Sequence, residues 1–392
     1  MTANVETVIL LVAGEESGDR LGAALMRALR NKTKATVRFV GVGGQQMRQE
    51  GLESFASIEM TGVVGFVSLL GRIRSYWRLI REIADRAVAA KPDVAVIIDS
   101  PEFTHRVAKR LRRAAPAIPI VDYVSPSVWA WRPWRARAMR RYVDHVLALL
   151  PFEPAVMKRL GGPACTYVGH PLTERVDALR PSPGNEIRRQ APPAIVLLMP
   201  GSRLGEMTRM LPIFERTAAL IAKQRRAVEF VVPAVPALAD RLKQVTAAWP
   251  VPVRIVSGQD EKDAAFRDAR LAVVKSGTST LELALAGVPM IAAYRLNPLE
   301  ALVGWIAIRV PSIILANLVI GENVVPEFVQ YRATPERLAA AALDILDNGD
   351  ARRRQLDAFK RLDAIMEIGR AVPSERAADI VLAELDRRRP GP

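Results

Sequence analysis

The residues best suited to chemistry lie in one loop, Lys275-Ser-Gly-Thr-Ser-Thr280, between an apolar run and a helical pattern. This order predicts a strand, a loop and a helix. Gly277 lets the backbone approach a ligand, while Ser276, Thr278 and Ser279 offer hydroxyls beside the N–H groups of a helix start, so we expect a bound anion. Glu282, one turn further on, is placed to accept both hydroxyls of a ribose. Phosphate and ribose together indicate a nucleotide, although an ordinary capped strand-to-helix turn has the same pattern.

Two further loops follow apolar runs and carry carboxylates and hydroxyls. The first reads Ala13-Gly-Glu-Glu-Ser-Gly-Asp19 and presents Glu15 and Ser17 just after a predicted strand. The second begins at Asp99, directly after the apolar run 94–98, and contains a proline that stiffens it. A carboxylate held at the end of a strand suits a general base, so we expect Asp99, with Glu15 and Ser17, to be catalytic. Helix capping is the alternative, by Ser17 or Asp19 in the first loop and by Asp99 in the second.

A fourth loop, 200–206, follows the apolar run 195–199. Gly201, Ser202 and Arg203 combine a helix start with a guanidinium group, and both can bind a diphosphate. In the alternative interpretation, Arg203 only forms an ion pair with Glu206 on the protein surface.

Two other segments are less informative. Residues 41–44 are rich in glycine but lack the spacing of the dinucleotide fingerprint and an acidic ribose reader downstream, so no NAD is inferred. Asn317 opens a segment, 317–330, that is unusually polar for its apolar surroundings. A turn between helices would have the same composition.

Length and composition limit the class of protein. The chain has 392 residues, of which 50% are hydrophobic and 25% charged, which predicts a globular protein with two domains. A single cysteine, Cys165, and three histidines provide neither an internal disulfide nor a visible metal-binding cluster. We therefore expect a cytoplasmic protein without a metal or other cofactor. The first six residues contain no positive region before the apolar run, so no signal peptide is expected.

The net charge of +15 and the isoelectric point near 10.4 require an explanation. Nucleic acid, an anionic membrane surface and acidic substrates are candidate partners, and a GC-rich genome also favours arginine. No nucleic-acid motif accompanies the arginine clusters, so no nucleic acid is expected. The apolar stretch 301–320 contains Arg309 and Pro311 near its middle, which argues against a membrane span.

Short apolar runs alternate with helical patterns, which predicts an α/β fold with parallel strands. The predicted strands are 8–12, 37–40, 94–98, 118–123, 146–149, 195–199, 228–232, 253–256, 271–274 and 290–294. The polar, proline-rich segment 173–193 separates the first five from the last five, and predicts two Rossmann-like domains facing a central cleft. We therefore expect domains at 1–180 and 181–334, followed by a helical segment, 335–392.

Residues 63–81 combine apolar and basic residues at helical spacing. The apolar members are Val63, Phe66, Val67, Leu70, Ile73 and Trp77. Arginines alternate with them or flank them, so we expect this segment to contact acyl chains and membrane, with a buried helix as the alternative. The tryptophan-rich segment 129–134 is a second candidate for membrane or sugar contact, or for core packing.

Several of these motifs occur together in one order along the chain. They are Ala13-Gly-Glu-Glu-Ser-Gly-Asp19, Gly41-Val-Gly-Gly44, Asp99-Ser-Pro-Glu-Phe103, Tyr123-Val-Ser-Pro-Ser-Val-Trp-Ala-Trp131, Gly169-His-Pro171, Pro200-Gly-Ser-Arg203, Ser276-Gly-Thr-Ser-Thr-Leu-Glu282 and residues 317–330. The series resembles bacterial lipid-A-disaccharide synthases, glycosyltransferases of the two-Rossmann-domain (GT-B) type. The chain departs from that family's pattern at Thr104, where Asn is frequent, and at Lys275, where a small residue is usual.

The resemblance implies an inverting glycosyltransferase on the inner face of the inner membrane. It would join UDP-2,3-diacylglucosamine to 2,3-diacylglucosamine 1-phosphate, releasing UDP and a β-1,6 disaccharide. Asp99 fits the base; Arg203, the Gly201-Ser202 turn and the loop 276–279 fit the leaving group, and Glu282 fits the ribose. A UDP-N-acetylglucosamine epimerase-like enzyme and a non-catalytic membrane- or RNA-binding descendant are the alternatives. The sequence leaves a homodimer open.

Overall fold

The computed structural model describes residues 6–33, 35–58, 73–297 and 310–387. The chain divides into two compact units. The first consists of Met1–Pro171 and Gly369–Pro392, and the second is Leu172–Ile368. The predicted α/β fold class with two Rossmann-like domains is confirmed, since each unit is built on one parallel sheet with helices.

In the described part of the first unit, a seven-stranded sheet has the order β3-β2-β1-β4-β5-β6-β7. Its strands are β1 (Thr7–Ala13), β2 (Val37–Val42), β3 (Glu53–Ser54), β4 (Val94–Ile98), β5 (Ile120–Tyr123), β6 (His145–Ala148) and β7 (Ala164–Tyr167). Its helices are α1 (Glu16–Lys32), α2 (Gln45–Gln49), α3 (Ile73–Ala89), α4 (Thr104–Ala114), α5 (Trp134–Met139) and α6 (Glu153–Arg159). All neighbouring strands are parallel, and the central strands β1 and β4 are buried on both faces, which explains their continuous apolar sequences.

In the described part of the second unit, a six-stranded parallel sheet has the order β10-β9-β8-β11-β12-β13. Its strands are β8 (Ala194–Met199), β9 (Val228–Ala234), β10 (Val253–Ser257), β11 (Leu271–Lys275), β12 (Met290–Tyr294) and β13 (Glu327–Val329). Its helices are α7 (Val176–Leu179), α8 (Pro183–Gln190), α9 (Leu204–Gln224), α10 (Pro236–Thr246), α11 (Gln259–Asp268), α12 (Ser279–Leu285), α13 (Leu315–Ile320), α14 (Pro335–Leu346), α15 (Asp350–Lys360) and α16 (Leu362–Ile365). Short 3₁₀ helices occupy Pro171–Arg175 and Gln330–Arg332.

The expected helical segment 335–392 does not form a third unit, and the first boundary falls after Pro171 instead of at 180. Helix α14 buries Leu338 and Ile345 in the second core with Phe214 of α9. A last helix, α17 (Pro373–Asp386), returns to the first unit, where Val381 joins the core with Leu25 of α1. These helices have apolar faces, and burying them against a sheet is more favourable than leaving them exposed.

No helix within the described ranges is long and apolar enough to cross a membrane.

Candidate active site

Asp99 lies at the carboxyl end of β4 in a loop with an unusual backbone conformation. The φ angles of Asp99 and Ser100 are 53° and 47°, in the left-handed region that costs a residue with a side chain about 1–3 kcal/mol. The Asp99 N–H donates to the Tyr123 carbonyl at 3.0 Å, and the Thr104 hydroxyl donates to the Asp99 carbonyl at 2.6 Å. Thr104, which departs from the family pattern, therefore stabilises the loop that carries the candidate base.

The Asp99 carboxylate is oriented through both of its oxygens. The Ser100 N–H donates to Oδ1 at 2.7 Å, and the Ser17 hydroxyl donates to Oδ2 at 3.0 Å. Each carboxylate oxygen accepts about two hydrogen bonds, so the half-buried group retains acceptor sites for a substrate hydroxyl. Glu15, the third predicted catalytic residue, is exposed at the start of α1 and makes no capping hydrogen bond. The structure thus joins Ser17 to Asp99 but not Glu15.

Sheet topology explains how Ser17 reaches Asp99. Strands β1 and β4 are neighbours, with Ala13 opposite Ile98, although more than 80 residues separate Ser17 from Asp99 in the chain. The loops after these strands emerge side by side where the strand order reverses, the usual ligand-binding edge of such sheets. Gly14 permits the close approach, because a Cβ there would lie only 2.7 Å from the Ser100 Cβ.

Asp19 belongs to the same first loop but has a structural role. Its buried carboxylate accepts hydrogen bonds from the N–H groups of Gly44, Gln46 and Met47 at 2.7–3.1 Å. The charge therefore stabilises the start of α2, where backbone N–H groups lack partners. This contact links the motifs at 13–19 and 41–44 structurally.

The candidate donor loops lie at the corresponding reversal in the second sheet. Strands β8 and β11 are neighbours, with Met199 opposite Val274, so the loops after them are adjacent. Gly201 has a φ angle of 118°, which a residue with a side chain rarely adopts. Ser202 is exposed in the same turn. The two loops that were predicted independently to bind phosphate therefore lie next to each other at the same edge of the sheet.

Positive charge is available where these two loops meet. Arg203, immediately before α9, has a side chain that is 78% exposed, and its Nη1 lies 3.5 Å from Glu206 Oε1. The Lys275 ammonium lies 3.1 Å from the same oxygen. The surface ion pair considered for Arg203 is thus present but leaves the guanidinium open to solvent. Lys275, the other departure from the family pattern, adds a second cation beside the loops.

The loop 276–279 divides into a buried part and an exposed part. Ser276 is buried, and its hydroxyl donates to the Ile313 carbonyl at 2.7 Å, so its binding to a ligand stays a prediction. Gly277 and Thr278 are exposed and Ser279 is half-buried at the start of α12. The part of this loop accessible to an anion is therefore 277–279.

Glu282 makes an ion pair that its local sequence does not indicate. Both carboxylate oxygens accept hydrogen bonds from the Lys262 ammonium, at 2.8 and 2.7 Å. The Glu282 side chain is 8% exposed and that of Lys262 27% exposed. Lys262 lies one turn into α11, the helix that follows β10. Its position after a predicted strand is the only feature of the sequence that could have indicated a role at this site. Glu282 is thus held in one orientation, with lone pairs remaining for further donors.

Asn317 is buried, and its side chain is engaged in hydrogen bonds within the protein. The residue is 1% exposed, its amide nitrogen donates to the Val325 carbonyl at 3.0 Å, and its amide oxygen accepts from the N–H groups of Val324 and Val325. Its role as a substrate-binding residue stays a prediction. These bonds satisfy the backbone of a buried turn.

The tryptophan-rich segment 129–134 is packed into the protein at its first tryptophan and exposed to solvent at the other two. Trp129 is half-buried against Phe152, and its indole N–H donates to Glu153 Oε1 at 3.1 Å. Trp131 and Trp134 are 39% and 68% exposed. Core packing, one of the three interpretations, thus applies to Trp129, whereas the contacts of the two exposed rings stay a prediction.

We expect the buried Glu153 to make stability depend on pH. Burial raises the pKa of its carboxyl from 4.5 to about 7. The folded state therefore binds more protons than the unfolded state between pH 4.5 and 7, and stability from this group is lost as pH rises through that window. The shift corresponds to about 3 kcal/mol. As the pH rises from 4.5 to 8, the free energy of unfolding of Glu153→Gln should therefore increase by that amount relative to wild type. Urea unfolding followed by tryptophan fluorescence measures this difference.

The control for this experiment is Glu82→Gln, which changes an exposed glutamate of α3. Its unfolding curve should follow wild type at every pH. Parallel pH profiles for wild type and Glu153→Gln would contradict the prediction.

Only part of the predicted acyl-contact segment can be compared with the structure. Val63, Phe66, Val67 and Leu70 lie outside the described residues, and Ile73 is the first residue of α3. Trp77 is 42% exposed, whereas Ile80 and Ile83 are buried in the first core. Helix α3 is therefore packed along a face that does not include Trp77. Contact of this segment with lipid stays a prediction.

Comparison with known proteins identifies close relatives. Residues 9–381 match the family model for lipid-A-disaccharide synthetase. The lipid-A-disaccharide synthase of Nitrobacter hamburgensis is 55% identical over 387 residues, covering 99% of this chain and 98% of that protein. Among solved structures, UDP-GlcNAc 2-epimerase from Neisseria meningitidis bound to UDP-GlcNAc has a TM-score of 0.60 at 12% identity, covering 97% and 100% of the chains. MurG from Acinetobacter baumannii has a TM-score of 0.55 at 14% identity, covering 96% and 99%. These two structures are similar in fold.

Proposed function

The chain belongs to the lipid-A-disaccharide synthase family, and we propose that its two units have different roles in catalysis. Members of this family are GT-B glycosyltransferases of lipid A biosynthesis that use a UDP-sugar donor. Asp99 of the first unit accepts the proton of the attacking hydroxyl. The loops at 201–203 and 277–279 of the second unit bind the donor diphosphate, and Glu282 binds the ribose. The observation that carries this proposal is the Asp99 carboxylate held by Ser17 at the switch point of the first sheet.

The substrates we propose are UDP-2,3-diacylglucosamine as donor and 2,3-diacylglucosamine 1-phosphate as acceptor. The 6-hydroxyl of the acceptor attacks the anomeric carbon of the donor while the bond to the diphosphate breaks on the opposite face. The hydroxyl proton goes to Asp99, and UDP leaves with the bonding electron pair. One in-line displacement of this kind inverts the anomeric carbon and gives a β-1,6 disaccharide 1-phosphate.

Charge stabilisation of the leaving group comes from fixed groups of the second unit. Arg203 and Lys275 supply positive charge, and the turn at Gly201 brings backbone N–H groups to the start of α9. Such preorganised groups stabilise the developing charge on the diphosphate without rearrangement during the reaction.

The direct test is incubation of the purified protein with the two acylated substrates, with UDP and disaccharide 1-phosphate measured by mass spectrometry. Both products should form in equal amounts, and neither should form when the acceptor is omitted. UDP-N-acetylglucosamine alone should be recovered unchanged. Conversion of that water-soluble sugar nucleotide to its epimer, without disaccharide formation from the lipids, would contradict the proposed reaction.

We further propose that the enzyme works on the cytoplasmic face of the inner membrane, with the segment 63–81 in contact with lipid. An acylated substrate must leave a bilayer to react, and this segment combines apolar residues with arginines. The net charge of +15 adds attraction to an anionic surface.

Replacement of Phe66 and Leu70 by serine should reduce sedimentation with anionic vesicles and turnover of the lipid substrates, because apolar contact with lipid is lost. The melting temperature should stay unchanged. The matched control is Ile187→Ser, which removes a 72% exposed apolar side chain from α8 and should leave vesicle binding intact. A lowered melting temperature without selective loss of vesicle binding would instead assign these residues to a core.

A further inference from the structure

A cavity of about 450 Å³ lies in the first unit beside the loop that carries Asp99. Pro101 and Glu102, two and three residues after Asp99, form part of its wall. Helices α3, α4 and α5 contribute most of the other side chains, including Trp77, Lys109 and Arg135, and Pro126 and Tyr142 complete the wall. Apart from Trp77, which lies in the proposed lipid-contact segment, none of these residues has a role in the proposed function, so the cavity requires its own explanation.

The cavity wall is strongly basic. Five cationic side chains line it against one carboxylate, that of Glu102. The cations are Arg106, Lys109, Arg110, Arg113 and Arg135. Four of them recur on α4 at helical spacing, so they share one face, while the opposite face of the helix is buried in the core. Like charges three and four residues apart destabilise a helix, so this arrangement is costly without an anion.

The single carboxylate does not neutralise this face. Glu102 pairs with Arg106 at 3.5 Å, with Arg132 at 3.4 Å and with Arg135. Within the described ranges, Lys109, Arg110 and Arg113 have no carboxylate at ion-pair distance. Burial, followed by the charges of Arg135 and Arg106, lowers the pKa of the Lys109 ammonium. An incoming anion would relieve this repulsion.

Aromatic rings hold two of the cations in position. The Arg106 guanidinium lies 4.7 Å from the centre of the Trp77 ring, and the Lys109 ammonium lies 4.9 Å from that of Tyr142. The Tyr142 hydroxyl is itself 3.1 Å from Nδ1 of the buried His105. The cations are therefore preorganised at the cavity wall, which lowers the entropic cost of binding.

We propose that this cavity binds the phosphate group of a lipid. Phosphate oxygens accept several charge-assisted hydrogen bonds at once, and guanidinium groups match that geometry. The volume accommodates a phosphate together with the sugar or glycerol that carries it. Two sources share this chemistry, the acceptor 1-phosphate and an anionic phospholipid headgroup. The first source rests on the proposed function, and its position beside the Asp99 loop supports it.

The test compares two variants that each remove one lysine and one arginine. Lys109→Gln with Arg113→Gln changes the cavity, whereas Lys223→Gln with Arg216→Gln changes exposed residues of α9 in the second unit. Binding of glucosamine 1-phosphate is measured by calorimetry, and binding to phosphatidylglycerol vesicles by sedimentation. Melting temperatures confirm folding, and the single variant Arg110→Gln serves if the double variant is unstable.

We expect the cavity variant to lose about tenfold or more in one of these affinities, as loss of charge-assisted hydrogen bonds predicts, with the α9 variant close to wild type. Loss confined to glucosamine 1-phosphate, with a raised KM for the acceptor and an unchanged KM for the donor, assigns the cavity to the substrate. Loss confined to vesicles assigns it to a phospholipid headgroup.

Equal affinities for the cavity and α9 variants on both probes would overturn the proposal. If wild type makes no disaccharide, the proposed function fails, while the two binding measurements still decide the cavity.

Discussion

Asp99→Ala should lower turnover by roughly 100-fold or more, because the attacking hydroxyl then has no positioned base. UDP affinity should stay near wild type, since the donor loops belong to the other unit. Asp99→Asn should be similarly inactive, because an amide keeps the shape of the carboxylate but cannot take the proton. The measurement is kcat with both lipid substrates, together with calorimetric titration of UDP.

Two further variants sharpen this prediction. Ser17→Ala should lower kcat less than Asp99→Ala does, because the hydroxyl only orients the carboxylate across 3.0 Å. Asp85→Asn, on the exposed face of α3, is the matched control and should have wild-type turnover. Near-normal kcat in Asp99→Ala would remove this residue from the mechanism.

Glu282→Ala should weaken UDP binding by about 1.5–3 kcal/mol, the usual range for hydrogen bonds to a charged group. The expected cause is loss of the ribose contact, so 2′-deoxy-UDP is the informative ligand. Wild type should prefer UDP to 2′-deoxy-UDP, and the variant should lose most of that preference. Calorimetry with both nucleotides measures the difference.

The Lys262 ion pair makes a control necessary. Removing Glu282 leaves a partly buried ammonium without its partner, which by itself lowers stability and alters local charge. Lys262→Met breaks the same pair while keeping the carboxylate. If Glu282 binds the ribose, Lys262→Met should retain the preference for UDP over 2′-deoxy-UDP. Unchanged UDP affinity in a folded Glu282→Ala protein would contradict the assignment.

The fold was largely predictable because its strands have a strong local signal. All ten predicted strands are present. Nine of them lie inside the sheets, where parallel strands have apolar sequences, and the tenth, β10, is an edge strand that still carries Val253, Ile255 and Val256. The three further strands among the described residues are β3, β7 and β13, at the edges of the two sheets. They are two to four residues long and contain polar residues such as Glu53, Thr166 and Glu327. These three short strands are stabilised by pairing with a neighbouring strand more than by their own composition, so their sequences carry little signal.

The site was predictable only in part, because residue type indicates chemistry but not contacts. Asp99 and Ser17 were singled out by their positions after strands, and the order of the strands then brought them together. Ser276 and Asn317 looked equally suitable, yet tertiary packing engages the hydroxyl of one and the amide of the other inside the protein. The Ser276 contact spans 37 residues, and the Asn317 contact depends on how its turn is buried, so residue type alone reveals neither.

The sequence by itself determined the α/β class, the family and the loops that carry polar groups, because these follow from local periodicity and ordered motifs. Only the tertiary structure decided which polar groups are exposed and which are engaged inside the protein. It paired Glu282 with Lys262, assigned Asp19 to α2 and collected the cations of α4 beside Arg135. The physical reason is that hydrogen bonds and ion pairs depend on strand order and helix packing, which join residues far apart in the chain.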